Sequence, residues 1–325
     1  MSVKEKLLCI LEANRETDLS GEEIAGQLGV SRTSVWKAVK TLKEEGYQIE
    51  GVNNRGYRLQ QSSDVLSEPG IRLTLEETYQ KFPIEVQKVV DSTNVELKRR
   101  ALDGGVHGLT LLAEEQTGGK GRLGRSFYSP AGTGIYMSIL LKPELIGSDA
   151  VLITTAASVA VCRAIQRTLD VQPQIKWVND VYMGDKKICG ILTEAISDFE
   201  IGKIDSVVVG IGINYRTEEF PDDLKERAGC LGGNHTGVPR NLLVAAVLNE
   251  FWKIYEQLPG REFMADYRKC SNVIGKRVRF QESGDWQEAY ALDIDENGGL
   301  IVEYEKEKGE KVTRTLHTGE ITLRV

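Results

Sequence analysis

The sequence predicts an α+β chain of three parts: an N-terminal helix-turn-helix with a β-hairpin wing, a central mixed α/β domain and a small C-terminal β-barrel. Three observations support this division. Capped amphipathic helices occupy the first part, apolar strands alternate with long helical patterns in the middle, and short strands at regular spacing fill the end. We place the parts at residues 1–62, 81–270 and 271–325, with a linker that contains a short helix at 63–80.

The composition of the 325-residue chain is that of an ordinary globular protein, with 41% hydrophobic residues and a net charge of −7. This charge argues against nonspecific nucleic-acid binding by the whole molecule, although it allows one local basic face. The five cysteines are scattered and none forms a C-x-x-C pair, so we expect neither a disulfide framework nor a zinc site. Because the sequence shows no signal peptide or long apolar span, we expect a cytoplasmic protein.

Side-chain caps mark the helix starts in the first part. Ser2 and Ser20 each precede a glutamate by three residues, which is the capping-box pattern, and Gly29 is suited to end the second helix. Ser31 caps a third helix with a helical apolar stripe. Two helices joined by about three residues that include a glycine are typical of a helix-turn-helix.

The third helix is basic, with four cations and no acid between Ser31 and Lys43, whereas the first two helices are acidic on balance. A recognition helix needs a polar, basic outer face with small hydrogen-bonding residues near its N-terminus. The residues that we predict to contact DNA are Ser31, Arg32, Thr33, Ser34, Lys37 and Lys40, with Arg55 in the wing. A helical docking module with a solvated basic face is the alternative. Trp36 is expected to pack in the core or at a hinge.

The central part contains a glycine-rich basic loop, E-E-Q-T-G-G-K-G-R-L-G-R, at residues 114–125. Its glycines let a ligand approach backbone N–H groups, and Lys120, Arg122 and Arg125 favour an anion such as phosphate. Three of the glycines spell G-x-G-x-x-G, but a second strand follows rather than a helix, so the loop is not a dinucleotide fingerprint. The spacing is not that of a P-loop, and no protein-kinase H-R-D or D-F-G motif follows. The alternative to an anion-binding loop is a flexible surface turn.

Five motifs follow one another through the central part: D-S-T-N at 91–94, E-Q-T-G-G-K-G-R-x-G-R at 115–125, K-W-V-N-D at 176–180, K-K-I-x-G-I-L-x-E at 186–194 and G-I-G-I-N at 210–214. With the winged helix ahead of them, they resemble the bifunctional bacterial biotin–protein ligases that also repress the biotin operon. The resemblance covers essentially the whole chain. Lys120 stands where many members have arginine and Val178 where they usually have proline, and neither change removes a charge.

The resemblance implies a class II synthetase-like fold for the central part, an SH3-like fold for the C-terminal part and a two-step reaction. Biotin and ATP give biotinyl-5′-AMP and pyrophosphate, and a lysine of the biotin carboxyl carrier protein then accepts the biotin. Mg²⁺ is the implied cofactor. The adenylate is also implied to be the corepressor of a homodimer that binds operator DNA and represses genes of biotin biosynthesis and transport.

The same resemblance assigns roles within the motifs. The implied catalytic residues are Lys187, Arg122 and Lys120, with Asp180 as the candidate metal ligand. The implied biotin site consists of Ser92, Thr93, Asn94, Gln116, Gly119, Lys120, Gly121, Arg122, Lys187, Gly190 and Gly210. The implied nucleotide site consists of Arg122, Arg125, Phe127, Trp177, Asn179, Asp180, Lys187 and Asn214. The chemistry agrees, because hydroxyl and amide groups suit the ureido ring of biotin and cations offset the repulsion between its carboxylate and the triphosphate.

Several of these residues have structural alternatives. Ser92 and Thr93 at a strand-to-helix turn would also serve as N-caps. Phe127 and Trp177 are equally consistent with core aromatics, and Gln116, Asn179 and Asp180 with turn residues. The polar run at 215–238 is implied to close over the adenylate, or else it is a surface loop.

Two other functions remain open at this point: a non-catalytic regulator that senses a small anion, and a lipoate–protein ligase. The K-W-V-N-D motif together with the G-G-K-G-R loop favours biotin over lipoate.

Overall fold

The computed structural model describes residues 1–52, 55–143, 150–198, 203–232, 237–282, 285–305, 310–317 and 321–323. Its first part contains helices α1 (Val3–Ala13), α2 (Gly21–Leu28) and α3 (Arg32–Glu44), followed by the hairpin strands β1 (Ile49–Val52) and β2 (Gly56–Leu59). The predicted caps are confirmed: Ser2 forms a reciprocal capping box, Ser20 and Ser31 accept backbone N–H groups, and Gly29 is left-handed with φ 64°. The sequence pattern predicts the first wing strand from Tyr47, whereas β1 begins at Ile49, and the wing-turn residues 53–54 lie outside the described residues.

The expectation for Trp36 is wrong. Apolar residues of α1 and α3, such as Leu7, Leu11 and Val35, form the core of the winged helix, but the Trp36 side chain is 54% exposed. It lies on the outer face of α3, with the Lys40 ammonium 6.0 Å from its ring centroid. Helical periodicity explains this position, because residue 36 lies one turn from Arg32 and Lys40 on the basic side.

The linker contains the short helix α4 (Glu68–Arg72), which Ser67 caps through the Gly70 N–H. The preceding residues are tied to the winged helix, since the Arg15 guanidinium donates to the carbonyl oxygens of Gln60 and Ser63. The linker is therefore a packed segment.

The central part is a seven-stranded mixed sheet in the order β3-β4-β5-β9-β8-β7-β6. Its elements are β3 (Ile84–Val90), α5 (Thr93–Leu102), β4 (Thr110–Gln116), β5 (Gly134–Leu141), α6 (Ala150–Leu169), β6 (Gln174–Lys176), β7 (Asp180–Met183), β8 (Lys186–Asp198), β9 (Lys203–Asn214), α7 (Arg240–Glu256) and α8 (Met264–Cys270). Strands β3 and β4 are parallel and the other neighbours are antiparallel. The predicted start of α6 at Ser148 lies outside the described residues.

The sheet is covered differently on its two faces. Apolar side chains of α6 and α7 share one large core with the sheet and the C-terminal part. Helix α5 has a separate small cluster, in which Leu97 packs with Leu111, Leu140 and Val208. The sheet surface near the N-terminus of α5 carries the polar residues and glycines described below.

The C-terminal part is an antiparallel sheet in the order β13-β12-β11-β10-β14. Its strands are β10 (Arg277–Glu282), β11 (Asp285–Ile294), β12 (Leu300–Glu305), β13 (Lys311–Leu316) and β14 (Ile321–Leu323). The sequence pattern predicts strands at 275–280, 286–292, 300–304 and 312–316, which correspond to the first four, and it predicts none at β14. The sheet docks on the central part, because Trp177 Nε1 donates to Gly298 O at 2.8 Å and Arg268 Nε donates to Ile294 O at 2.6 Å. No helix in the described part of the chain combines the length and apolarity that a membrane span requires.

Candidate active site

Two glycines that face each other on adjacent strands leave a bare patch on the central sheet. Gly190 on β8 pairs with Gly212 on β9. A Cβ atom on Gly212 would lie 2.6 Å from the Phe127 ring, and one on Gly190 would lie 3.3 Å from that ring and 3.1 Å from Lys187 Nζ. The absence of both side chains therefore lets an aromatic ring and a cation lie directly against the sheet.

Hydroxyl and amide groups border this patch at the N-terminus of α5. The Ser138 hydroxyl lies 2.7 Å from Thr93 Oγ1 and 2.6 Å from Asn94 Oδ1. Gln116 Oε1 accepts the Thr93 backbone N–H at 2.8 Å, and Gln116 Nε2 donates to Ser129 Oγ at 2.9 Å. Because Thr93, Asn94 and Ser138 are buried, this network fixes the orientation of each group.

Asn94 lies against the sheet where Gly210 provides room. A Cβ atom on Gly210 would be 2.1 Å from Asn94 Oδ1. The Asn94 amide nitrogen donates to Leu192 O at 3.1 Å and to Glu194 Oε2 at 2.9 Å. The D-S-T-N and G-I-G-I-N motifs, far apart in the chain, therefore meet at one point.

Ser92 is the N-cap residue of α5 and is buried. Among the described contacts, its side chain makes no capping hydrogen bond. The N-cap alternative for this hydroxyl is thus not supported by the observed contacts.

Lys187 and Asp180 form an ion pair at the edge of the patch. The tight turn between β7 and β8 contains Gly184 with φ 56°, and it returns the chain so that Asp180 pairs with Gly190. Lys187 Nζ lies 2.6 Å from Asp180 Oδ1. The Asp180 carboxylate thus holds the ammonium of Lys187 at the edge of the patch.

The glycine loop is an ordered turn rather than a flexible one. Gly121 N donates to Arg125 O at 2.8 Å, and Phe127 N donates to Gly119 O at 2.9 Å. Gly119 is required, because a Cβ atom there would lie 2.4 Å from Phe127 O. These contacts return Phe127 to the bare patch.

The glycine loop reaches a second motif through Arg122. Arg122 NH1 donates to Asn179 Oδ1 at 2.9 Å, and Asn179 Nδ2 donates to Ile191 O at 2.7 Å. Lys120 and Arg125 are exposed nearby in the chain. The loop thus presents basic residues beside the K-W-V-N-D turn.

Two predicted nucleotide residues have other contacts. Trp177 is buried and bonded to Gly298, as described above, which favours the core-aromatic alternative. Asn214 Nδ2 donates to Gly229 O at 3.0 Å, so its side chain holds a neighbouring segment. Their roles in nucleotide binding remain predictions.

Residues 227–229 pair with the strand that carries Lys187. They belong to the chain from residue 215 to 238, here called the covering segment after the role that the resemblance implies. Its residues 233–236 lie outside the described residues. Lys187 N donates to Arg227 O at 2.8 Å, and Gly229 N donates to Lys187 O at 2.9 Å. Lys186 Nζ donates to the carbonyl oxygens of Lys225 and Glu226, each at 2.8 Å. The polar composition of this segment gave no strand signal, so its pairing was not predicted.

Burial perturbs two tyrosines around the site. Burial raises the pKa of Tyr136 to about 12, and its hydroxyl donates to Pro130 O at 2.9 Å. Burial likewise raises the pKa of Tyr182 to about 12. Both hydroxyls are therefore neutral near pH 7 and do not serve as bases.

Sequence reasoning missed Ser129 and Ser138. Ser138 is a lone buried hydroxyl in the apolar strand I-Y-M-S-I-L-L, and that exception to the pattern is a signal that something polar must face it. Ser129 carried no comparable signal. In the described residues no group of three or more His, Cys, Asp or Glu side chains is placed to hold a metal.

The basic face of α3 is exposed at Arg32, Thr33, Lys37 and Lys40. Ser31 and Ser34 contact each other in the cap, with their hydroxyls 2.9 Å apart. The Arg55 side chain is 70% exposed and lies 3.5 Å from Asp18. The predicted DNA contacts thus fall on one accessible side of the winged helix, with Arg55 in the wing.

Three family models match the chain in the order of its parts. They are described as an HTH domain (residues 3–58), the biotin/lipoate A/B protein ligase family (86–214) and the biotin protein ligase C-terminal domain (273–324). The fold and the site thus define a protein ligase of the biotin and lipoate class that carries a helix-turn-helix.

Curated relatives match nearly the full chain. The bifunctional ligase/repressor BirA of Bacillus subtilis (strain 168) is 33% identical over 291 residues, which is 88% of this chain and 89% of the relative. The bifunctional ligase/repressor BirA of Escherichia coli (strain K12) is 28% identical over 98% of this chain and 96% of the relative. A solved biotin protein ligase from Aquifex aeolicus in complex with biotin and ATP superposes with TM-score 0.62 at 28% identity, covering 74% of this chain and 98% of that one. The chain belongs to the family of bifunctional biotin–protein ligases and repressors.

Proposed function

We propose that this chain forms biotinyl-5′-AMP beside the bare patch of Gly190 and Gly212, against the Phe127 ring and the Lys187 ammonium that lie on it, and transfers biotin from it to a protein lysine. The observation that carries the proposal is the convergence of Lys187, Phe127 and the Arg122–Asn179 pair around that patch. ATP-dependent biotin ligation is the function that this geometry and the family membership support.

Biotin is proposed to lie between α5 and the sheet. The hydroxyls of Ser92 and Thr93 and the amide of Gln116 match the donors and acceptors of the ureido ring. Gly210 makes room for Asn94 against the sheet, and Gly190 makes room for Phe127 and Lys187, which would line the apolar body. The pre-existing network of Thr93, Gln116 and Ser138 would hold these groups in place before biotin arrives.

The triphosphate is proposed to meet the glycine loop, where Lys120, Arg122 and Arg125 supply positive charge. The biotin carboxylate attacks the α-phosphorus, the bond to the bridging oxygen breaks, and pyrophosphate leaves. Lys187 faces the same patch and would stabilise the charge that develops on the phosphate oxygens. Phe127 would pack against the adenylate, and Asn179 would hold Arg122 in position.

Transfer needs no further cofactor chemistry. The neutral amine of an acceptor lysine attacks the acyl carbon of the mixed anhydride, the acyl–oxygen bond breaks, AMP leaves, and the nitrogen loses one proton to solvent as the amide forms. We propose that the acceptor is biotin carboxyl carrier protein.

Asp180 provides one of the carboxylates that a Mg²⁺ site requires. Protein sites often hold Mg²⁺ through one or two carboxylates together with substrate phosphates, and Asp180 offers one carboxylate at the edge of the patch, where its partner in the described residues is the Lys187 ammonium. Asp180 would hold the ion, which when bound neutralises phosphate charge. Before that, Asp180 orients the Lys187 ammonium.

The regulatory half of the proposal concerns the winged helix. The exposed basic face of α3 is suited to the major groove, and one winged helix makes few phosphate contacts. We propose that the adenylate acts as corepressor by favouring a homodimer whose two winged helices bind the two half-sites of an operator of biotin genes, in the cytoplasm. We propose that residues 1–62 bind DNA, that residues 81–270 bind biotin and ATP and carry out catalysis, and that residues 271–325 form the SH3-like C-terminal part.

The test of the ligase function is biotin-dependent exchange of pyrophosphate into ATP. We expect exchange with biotin and none with lipoate. Exchange with lipoate alone would favour the lipoate–protein ligase, and no exchange with either would favour a non-catalytic sensor.

A further inference from the structure

Asp64, the second residue of the linker, contacts both ends of the covering segment. Its Oδ2 atom lies 3.2 Å from Arg216 NH1, at the start of the segment. The same oxygen accepts from Arg240 Nε at 3.1 Å, and Oδ1 accepts from the Arg240 backbone N–H at 2.8 Å, two residues beyond the end of the segment. One carboxylate therefore joins two positions that are 24 residues apart in the chain.

The surroundings of Asp64 make this contact rigid. The Arg240 side chain is 2% exposed and the Asp64 side chain 9% exposed. Arg240 also donates to Glu114 Oε2 at 2.8 Å and to Gly134 O at 2.9 Å, on strands β4 and β5. Two guanidinium groups thus face two carboxylates, and removal of one partner from a buried ion pair is strongly destabilising because the other charge is left uncompensated.

The ends of the covering segment are joined by further contacts. Arg216 N donates to Thr133 O at 2.7 Å, and the Tyr215 hydroxyl donates to Val238 O. Farther along, residues 227–229 pair with Lys187, as described above. A displacement of Arg216 would therefore be transmitted along the backbone to residues 227–229 and to the strand that carries Lys187.

We propose that Asp64 is a positioning residue for the ligase reaction: through Arg216 and Arg240 it fixes the described part of the covering segment, residues 215–232, which pairs with Lys187, and thereby sets how firmly the site holds the adenylate. The proposal rests on the proposed adenylate site. It also gives the linker that leaves the winged helix a part in the ligase site, because Asp64 follows Ser63, whose carbonyl oxygen is bound by Arg15 of the winged helix.

The experiment measures the dissociation rate of preformed biotinyl-5′-AMP from the full-length chain by chase with unlabelled adenylate. Asp64→Asn removes the charge with little change of shape. We expect it to speed dissociation by about 2- to 30-fold, the range of couplings along hydrogen-bonded networks. We also expect KM for ATP to rise while kcat for exchange changes less, and Asp64→Glu to restore part of the effect.

Two further variants distinguish a specific effect on adenylate retention from a general loss of folding. Arg216→Met removes the link to the start of the segment and leaves the Arg240 contacts in place, so it should act in the same direction as Asp64→Asn. Glu68→Gln removes an exposed linker carboxylate whose 2.7 Å ion pair is with Arg72, and it should dissociate like the wild type. Dissociation rates refer only to chains that hold adenylate, so a merely smaller folded fraction would not change them.

The outcomes separate the two proposals. If the wild type exchanges pyrophosphate normally but Asp64→Asn and Arg216→Met both retain adenylate as tightly as the wild type, the inference about Asp64 is wrong and the ligase function stands. A wild type without biotin-dependent exchange would overturn the proposed function and this inference with it.

Discussion

The ammonium nitrogen of Lys187 lies 2.6 Å from Asp180 Oδ1, on the neighbouring strand of a tight hairpin. The carboxylate holds the cation over the bare patch formed by Gly190 and Gly212. A cation held in place before the substrate binds needs little reorganisation when charge develops during the reaction.

The first prediction concerns this cation. Lys187→Ala should lower the rate of adenylate synthesis by on the order of 10²–10³, because one preorganised charge donor is removed. Pyrophosphate exchange measures the loss, and circular dichroism should show an unchanged fold. Lys88→Ala, an exposed lysine on β3, is the matched control and should behave like the wild type. Wild-type exchange in Lys187→Ala would contradict the assignment.

The second prediction concerns retention of the intermediate by the glycine loop. Arg122→Gly should release biotinyl-5′-AMP about 10- to 100-fold faster, since a hydrogen bond to a charged group contributes about 1.5–3 kcal/mol. The released adenylate should modify stray lysines of bystander proteins, which a streptavidin blot detects. Leu123→Gly removes an uncharged side chain that is 74% exposed in the same loop, so it tests loop flexibility without loss of charge. Equal labelling by both variants would argue against a charge effect.

The third prediction concerns the room that Gly210 gives to Asn94. Gly210→Ala would place a Cβ atom 2.1 Å from Asn94 Oδ1 and disturb the network that includes Ser138. Because overpacking typically costs about 1–3 kcal/mol, KM for biotin should rise about tenfold. Gly51→Ala, in a wing strand with nothing within 4 Å, is the control. An unchanged KM for biotin in Gly210→Ala would place the biotin site elsewhere.

The fourth prediction concerns the exposed indole of Trp36. Since it lies among the cations of α3 and outside the core, Trp36→Ala should leave the fold and pyrophosphate exchange intact. Operator affinity should fall on the order of tenfold, as expected when a base contact worth about 1–3 kcal/mol is lost. Fluorescence anisotropy with labelled operator measures this. Trp286→Ala, a tryptophan 47% exposed on the C-terminal sheet, should bind operator normally.

The fifth prediction concerns the switch between ligase and repressor. Adenylate should strengthen homodimerisation by about 1–3 kcal/mol, which is typical of coupling between sites. Sedimentation equilibrium and operator binding, each with and without biotin plus ATP, measure the two halves of the coupling. If neither assembly state nor operator affinity responds to the adenylate, the switch is disproved while the ligase is not.

Local signals in the sequence were sufficient for most of the architecture. The helix starts at Ser2, Ser20 and Ser31 could be predicted because an N-cap depends only on a serine side chain and a backbone N–H three residues later. Gly190 and Gly210 could be recognised as positions where another group packs closely against the sheet, because a glycine inside a strand otherwise weakens it.

Contacts between distant segments could not be predicted in the same way. Asp64 with Arg240, and Lys187 with residues 227–229, join parts of the chain whose own composition is that of ordinary polar loops. Trp36 was misjudged because a tryptophan in an apolar-periodic helix resembles a core residue until its neighbours are known. The contacts of such residues depend on which distant segment packs against them, and the residue type alone does not reveal that segment.

The hydrogen bond from the Trp177 indole to Gly298 O makes one side chain an optical reporter of domain docking. Trp177 is buried at the junction, Trp252 is buried in helix α7 of the central part and provides a constant background, and Trp36 and Trp286 are exposed to solvent. A buried, hydrogen-bonded indole emits at shorter wavelength than an exposed one and becomes quenchable by iodide when it is uncovered. Undocking of the C-terminal sheet would therefore appear as a red shift in the emission of this protein without any added dye.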